Sequence, residues 1–413
     1  MLNAMLFCGE LRGHEPGYLR HSGRALASLP GVQLTVVLPV GARNYRDRPE
    51  FAFIDDLGVE LDFRTPALPG KGTRNAVGRL RSLEGAIERH RPDYVFITTG
   101  DLLAQAATSW RLRPGMTSGA PTAIEAIVHA CRFAYEGGGL RRKVKNRVSL
   151  ELLGRSPVES IKLLSFDALE RIRCAAPALA SRFELVPHPV SDHIALAKVD
   201  ARAKLGLETS GRIVGCVGAI DERKGIDLLL RAFGAARLRE DDCLLLVGRV
   251  SDKIRQLIEH DFGALVKERR LLVRDDFVAE AEMAAAISAM DLVCTPYRAQ
   301  YGLASVILNA AALGRPVLSS TGGWPSAAVA RFGLGDSCDV YDVRAFASSI
   351  EKCLEAAASF QPSDAARMLT RYHAPANYAA HVTRKVRELL SLPVQDGILS
   401  WSTVSDLYRP VGA

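Results

Sequence analysis

The feature that most constrains this chain is an alternation run through twice: short runs of aliphatic and β-branched residues, each followed by a longer segment with apolar residues at helical spacing. In the first half the strand-like runs are Ala4–Cys8, Val32–Pro39, Tyr94–Thr98, Thr122–His129, Ile161–Ser165 and Phe183–Pro189, with helical patterns at Gly17–Leu29, Asn75–Arg89 and from Asp101. A second series opens with Ile213–Gly218 and continues through Cys243–Gly248, Leu271–Arg274, Leu292–Pro296 and Val317–Ser320. Helical patterns at Ile226–Ala236, Lys253–Phe262 and Glu280–Ala289 separate these runs. Strands of this kind are buried on both faces, which calls for helices over both faces and hence for parallel, doubly wound sheets. The length of 413 residues fits two such domains of about 200 residues each. The expected division is an α/β domain over 1–190 and a second over 191–373, with a helix Ala374–Leu390 within 374–413 crossing back to the first.

Composition narrows the class of protein. No apolar run approaches the roughly 18 residues that span a bilayer, and the opening residues Met1–Glu10 read as a first strand rather than as a leader, so the expected location is the cytoplasm. The eight cysteines are scattered without a CxxC pair, as buried reduced thiols would be. A net charge of +7 points to anionic partners. The basic residues are not interleaved with aromatic ones, so no nucleic-acid partner is expected. Arg141, Arg142, Lys143, Lys145 and Arg147 form a basic cluster on a helix after Gly137–Gly139. Its plain reading is a solvated helix face, and its functional reading an anionic acceptor or a peripheral contact with the inner face of an anionic membrane. Asp55-Asp56, Asp241-Asp242 and Asp275-Asp276 read as loop acids, and no metal is expected.

The motifs concentrate in the second half. Gly215 and Gly218 flank Cys216-Val217, and Asp221-Glu222-Arg223-Lys224-Gly225 joins that strand to its helix. A Lys and an Arg beside a helix N-terminus, at the carboxyl end of a parallel strand, are placed to neutralise a diphosphate. Farther on, Tyr297–Gly323 reads as loop, helix, the Gly314-Arg315-Pro316 turn and a buried strand, a second place where backbone N–H groups can meet an anion. There is neither a GxGxxG followed by an acidic residue on the next strand nor a GxxxxGK[ST] loop, which argues against dinucleotide dehydrogenases and P-loop enzymes.

Val217-Gly218 through Arg223–Ile226, then Leu245–Gly248, Ala289–Val293 and Ala310–Val317, together resemble the C-terminal domain of the family 4 glycosyltransferases. That resemblance is close from Ile213 to Gly335 and loose in the first half. It implies a GT-B fold of two facing Rossmann-like domains, and sugar transfer from a nucleotide diphosphate sugar with retention of configuration, as in polysaccharide biosynthesis. The first domain would hold an unidentified acceptor and the second the donor, with no bound cofactor. Carried over by position, Lys224 meets the donor diphosphate with Gly218 beside it, and the backbone around Gly302–Ser305, including Ala304, meets the donor phosphate and sugar. The departures are as specific. Ala219 stands where the family carries an Arg, with Arg223 as its substitute, and the family's paired glutamates fall on Tyr301 and Asn309. A branch of the family carries Ser in this region, which Ser305 and Ala310–Val317 resemble.

The first half adds histidines. His129 ends its strand as the family's histidine near the transferred sugar does, and shares the expected catalytic role with Lys224 and Arg223; a core or solvated histidine is the plain alternative. His14, between Gly13 and Gly17, resembles the loop of inverting GT-B enzymes in which a histidine serves as base for the acceptor hydroxyl. Gly13, His14, Gly17 and Arg132 are therefore the acceptor candidates, and His188 reads as a linker residue within a Pro187–Val190 hinge. Ala219, Tyr301 and Asn309 keep two further readings open: a donor-site-degenerate binding protein, and an epimerase or inverting transferase on the same fold.

Overall fold

The computed structural model describes residues 1–9, 15–47, 51–65, 73–102, 123–129, 131–135, 139–190, 196–207, 210–276, 280–298, 300 and 302–406. These fall into two compact units, Met1–Pro189 with Pro375–Ile398, and Val190–Ala374 with Leu399–Ala413. The first unit has a seven-stranded sheet of β1 (Leu2–Phe7), β2 (Val32–Pro39), β3 (Glu60–Thr65), β4 (Tyr94–Ile97), β5 (Ala123–Val128), β6 (Ser160–Leu163) and β7 (Phe183–Leu185), in the order β3-β2-β1-β4-β5-β6-β7. The second has six strands: β8 (Ile213–Val217), β9 (Cys243–Val247), β10 (Leu271–Arg274), β11 (Leu292–Thr295), β12 (Val317–Ser320) and β13 (Gly335–Cys338), in the order β10-β9-β8-β11-β12-β13. All pairings are parallel. In each sheet the winding reverses beside its first strand, between β1 and β4 and between β8 and β11. Open α/β sheets present their ligand-binding crevice at such a reversal, beyond the carboxyl ends of the strands.

Two strands have no counterpart in the apolar pattern, and both are sheet edges. Glu60–Thr65 carries Glu60, Asp62 and Arg64, and Gly335–Cys338 reads GDSC. An edge strand is covered on fewer sides and needs less apolar surface, so the buried-strand signal is missing there. Other ends shift for local reasons. The strand expected over Ile161–Ser165 stops at Leu163, and the Ser165 hydroxyl instead caps the helix Phe166–Ala175 by accepting the Ala168 N–H at 3.2 Å. The Phe183–Pro189 run is a strand only to Leu185, ahead of Pro187 and Pro189, which have no N–H to give a ladder. Cys174 is exposed, whereas the other seven cysteines are buried.

The helices pack by the same logic. On Ile226–Ala235 the buried Ile226, Leu229, Leu230 and Phe233 share one face and pack with Phe346, Ile350 and Leu354 of Val343–Ala356. Pro375–Leu389 belongs to the first unit, where it lies along Glu15–Ala27 and Tyr378 meets Ser22 hydroxyl to hydroxyl at 2.7 Å. It is also tied to the sheet through charge. Lys162 on β6, only 1% exposed, is 3.1 Å from Glu125 on β5 and also pairs with Glu184 on β7, which bonds Arg384 of the helix. Tyr94 donates to the Glu125 carboxylate at 2.8 Å. Removing one partner of such a group would leave an uncompensated buried charge.

Candidate functional site

In the second unit the site grows from the β8 and β11 ends. Gly218 follows β8 with φ 105°, and a Cβ there would stand 2.6 Å from the Lys224 Nζ; glycine lets the ammonium lie against the strand end. The turn Glu222–Lys224 is capped by Asp221, whose carboxylate accepts the Lys224 N–H at 2.9 Å. Gly225 then takes φ 70° to start the helix Ile226–Ala235, so close to the β11 loop that a Cβ would lie 2.0 Å from the Pro296 carbonyl oxygen. From that loop the Arg298 N–H donates to the Arg223 carbonyl at 3.0 Å, and Ser320 at the end of β12 donates to the Tyr297 carbonyl at 2.9 Å. The lysine is thus clamped from both sides of the winding reversal.

Lys224 Nζ donates to the Val217 carbonyl at 3.1 Å and sits 5.1 Å from the centre of the Tyr297 ring. Burial acts to lower its pKa, but the Tyr297 phenol and the Cys216 sulfur outweigh it, and the ammonium stands above its ordinary value. Burial pushes the Tyr297 phenol up as well, so at neutral pH the pair is an ammonium beside a phenol. With one proton spent on Val217, the ammonium keeps donors for an anion. Arg223 behaves differently: its side chain is 61% exposed and leans on Asp221 at 3.5 Å.

Of the donor stretch, Tyr301 lies outside the described residues. Gly302 accepts from the Gln300 side-chain amide at 3.2 Å. Ala304 is the N-cap of the helix Ser305–Ala312 and supplies no side-chain cap, which leaves first-turn N–H groups for a ligand. Asn309 turns its amide nitrogen back onto the Ser305 carbonyl at 2.9 Å, which spends one of its two protons and leaves the other, with the carbonyl oxygen, for a ligand.

In the first unit, Gly13 and His14 lie outside the described residues. Gly17 is not in a loop ahead of the helix, as the sequence suggests, but in the first turn of Glu15–Ala27, because Glu15 and Pro16 already take helical positions. Arg132 belongs to the short turn Arg132–Ala134, and its side chain is likewise outside the description. His129 does stand at the carboxyl end of β5. Its Nε2–H donates to the Thr98 carbonyl at 2.7 Å, its backbone N–H donates to Asp101 at 3.1 Å, and Tyr18 meets its ring edge-on at 4.7 Å. His188, next to the Pro189/Val190 boundary between the units, is buried, its Nδ1 2.5 Å from the Tyr18 hydroxyl. Glu15, Thr98, Tyr18, Tyr297 and Asp221 are the residues that motif reading passed over. The Glu-Pro pair opening a helix was the available signal for Glu15.

Asp55, Asp242 and Asp275 each pair with an arginine, and no cluster able to hold a metal ion occurs among the described residues. Nor is any described helix long and apolar enough to cross a membrane.

Residues 211–356 match the family model of the glycosyl transferases group 1. This part of the chain is a group 1 glycosyl transferase domain. It contains the whole Gly218–Gly225 loop and the stretch through Gly323. The D-inositol 3-phosphate glycosyltransferase of Segniliparus rotundus is 35% identical over 138 residues, 32% of this chain and 29% of that protein, so the chain spans under a third of that relative's length. Sucrose-phosphate synthase from Thermosynechococcus elongatus superposes with a TM-score of 0.71 over 95% of this chain and 100% of its own, at 18% identity. Anabaena HepE in complex with UDP does so with a TM-score of 0.62 over 95% and 100%, at 15% identity. The fold is GT-B, with the group 1 domain in its second unit.

Proposed function

We propose that the protein transfers a sugar from a nucleotide diphosphate sugar, with retention, and that Lys224 meets the donor diphosphate. The observation that carries this reading is the Lys224 ammonium held between the Val217 carbonyl and the Tyr297 ring at a winding reversal, inside a group 1 domain. A retaining transfer needs its leaving diphosphate stabilised by preorganised donors rather than a strong base. Lys224 and the first-turn N–H groups of Ser305–Ala312 are of that kind. Gly218 and Gly225 allow the close approach, Gly302, Ala304 and Ser305 line the donor with backbone, and Asn309 accepts a hydroxyl from it. The acceptor belongs to the first unit, where His129 is the candidate to serve it. UDP, which HepE holds, is the first nucleotide to test. UDP and its sugars should raise the melting temperature with concentration, by the equivalent of about 2.7 kcal/mol at a hundred times Kd. Stabilisation by UDP without turnover of any UDP-sugar would favour the degenerate binding protein, and no stabilisation by any nucleoside diphosphate would refute the donor role.

The basic helix supports a surface contact as well. On Leu140–Gly154, Arg141, Arg142, Lys143, Lys145 and Arg147 are exposed, and so are Leu140 (78%), Val144 (55%) and Val148 (49%), which recur every fourth residue. Aliphatic side chains in a row among cations suit an anionic lipid surface, which takes both.

A further inference from the structure

The winding reversal of the first sheet holds a buried acid. Glu15, 6% exposed, opens the helix after β1, and Thr98 follows β4. A carboxylate taken out of water needs specific partners. Here Oε2 accepts the Thr98 hydroxyl at 3.0 Å and the Cys8 thiol at 3.9 Å, while Oε1 stands 3.4 Å from His129 Nε2. That same nitrogen donates to the Thr98 carbonyl. His129 is therefore held on one ring nitrogen by a carbonyl with a carboxylate beside it, on its backbone by Asp101, and on its ring by Tyr18.

We propose that Glu15 is the positioning residue of His129: the Thr98 carbonyl keeps the proton on Nε2 and the Glu15 carboxylate beside that nitrogen meets the ring's positive charge, so that Nδ1 is the nitrogen that takes up and releases a proton. When Nδ1 is protonated, Glu15 meets the imidazolium charge; when it is not, Nε2–H stays where it was. The described groups facing the pair are Asp101, Thr98, Tyr18, Tyr378, Cys8 and Cys131, with His188 behind Tyr18. Burial holds Glu15 above the usual carboxylate range, against the opposing pull of His129, Thr99 and Thr98. Below that raised value the acid is neutral and no longer balances the ring's charge; above it the carboxylate does. The part played in sugar transfer rests on His129 standing beside the transferred sugar, but the proton placement does not.

Long-range ¹H–¹⁵N spectra of the imidazoles, recorded on the full chain without substrate, test the placement. His129 should show the Nε2–H tautomer, with a step in its ring shifts as Glu15 titrates. Glu15→Gln and Glu15→Leu should both abolish that step while keeping the Nε2–H tautomer, which the Thr98 carbonyl holds. The same pH response in wild type and Glu15→Gln, or the Nδ1–H tautomer in wild type, would overturn the proposal. If the Glu15 variants do not fold, Thr98→Val serves: it removes a hydroxyl that lowers the Glu15 pKa and keeps the carbonyl, so the step should move to higher pH, and an unmoved step refutes it. Should UDP-sugar turnover be found, Glu15→Gln should lower kcat roughly tenfold or more with donor KM unchanged and lose the acid limb of the pH profile. UDP binding, followed separately, reports on the donor reading alone.

Discussion

Replacing Lys224 by methionine isolates the charge at the proposed donor site. Methionine keeps an unbranched stem across the Tyr297 ring, whereas alanine would also remove packing, so stability and binding would fall together. Two unit charges about 4 Å apart attract by about 4 kcal/mol at the effective dielectric near a protein surface. Lys224 is only partly buried and shares one proton with Val217, so solvent and that competing bond reduce the share available to a phosphate. A loss of about 2–3 kcal/mol remains, which is roughly 30- to 160-fold in Kd for UDP. Titration calorimetry of wild type and Lys224→Met with UDP measures this without knowledge of the acceptor, and repeating it across ionic strength checks that the difference is electrostatic. Equal affinities for a folded variant would refute the diphosphate role of Lys224, whatever else the domain binds.

The glycine after that lysine gives a stability test: Gly225→Ala combines φ 70° with a Cβ driven 2.0 Å from the Pro296 carbonyl oxygen, and should cost at least about 2 kcal/mol in urea denaturation and loosen UDP binding. Glu184 gives a pH test. Burial would raise its carboxyl, but Lys162 and Arg384 outweigh burial and hold it at about 2, from an ordinary 4.5. A folded pKa depressed in this way adds about 3 kcal/mol that is fully present above pH 4.5 and fades as pH falls toward 2; Glu184→Gln should flatten the stability profile in that window. For the basic helix, sedimentation with vesicles should show binding to phosphatidylglycerol-rich but not to pure phosphatidylcholine membranes. Leu140→Ser with Val144→Ser and Val148→Ser should weaken it, and unchanged binding would remove the aliphatic row from the account.

The sequence shows the strands that are buried on both faces and the loops that carry Gly and Lys, because those signals are local. It does not show which loops meet. Lys224 and Tyr297 come from different βα units, as do Glu15, Thr98 and His129, and only the strand order, with β8 beside β11 and β1 beside β4, brings each set together. Of the four edge strands, β3 and β13 could not be read from apolar periodicity because they carry little apolar surface, and buried Glu15 could not because it breaks the pattern for a polar contact. The topology also decides what Ala219 means. Of the described cations in the two loops at the β8–β11 reversal, Arg298 is paired with Asp227 and Arg223 leans outward on Asp221, so Lys224 is the one held in place without a carboxylate. A site with alanine at 219 and with Arg223 exposed concentrates its electrostatics on one ammonium. Lys224→Met should therefore weaken UDP binding far more than Arg223→Met does, and equal losses would show that Arg223 bears on the donor as strongly as Lys224.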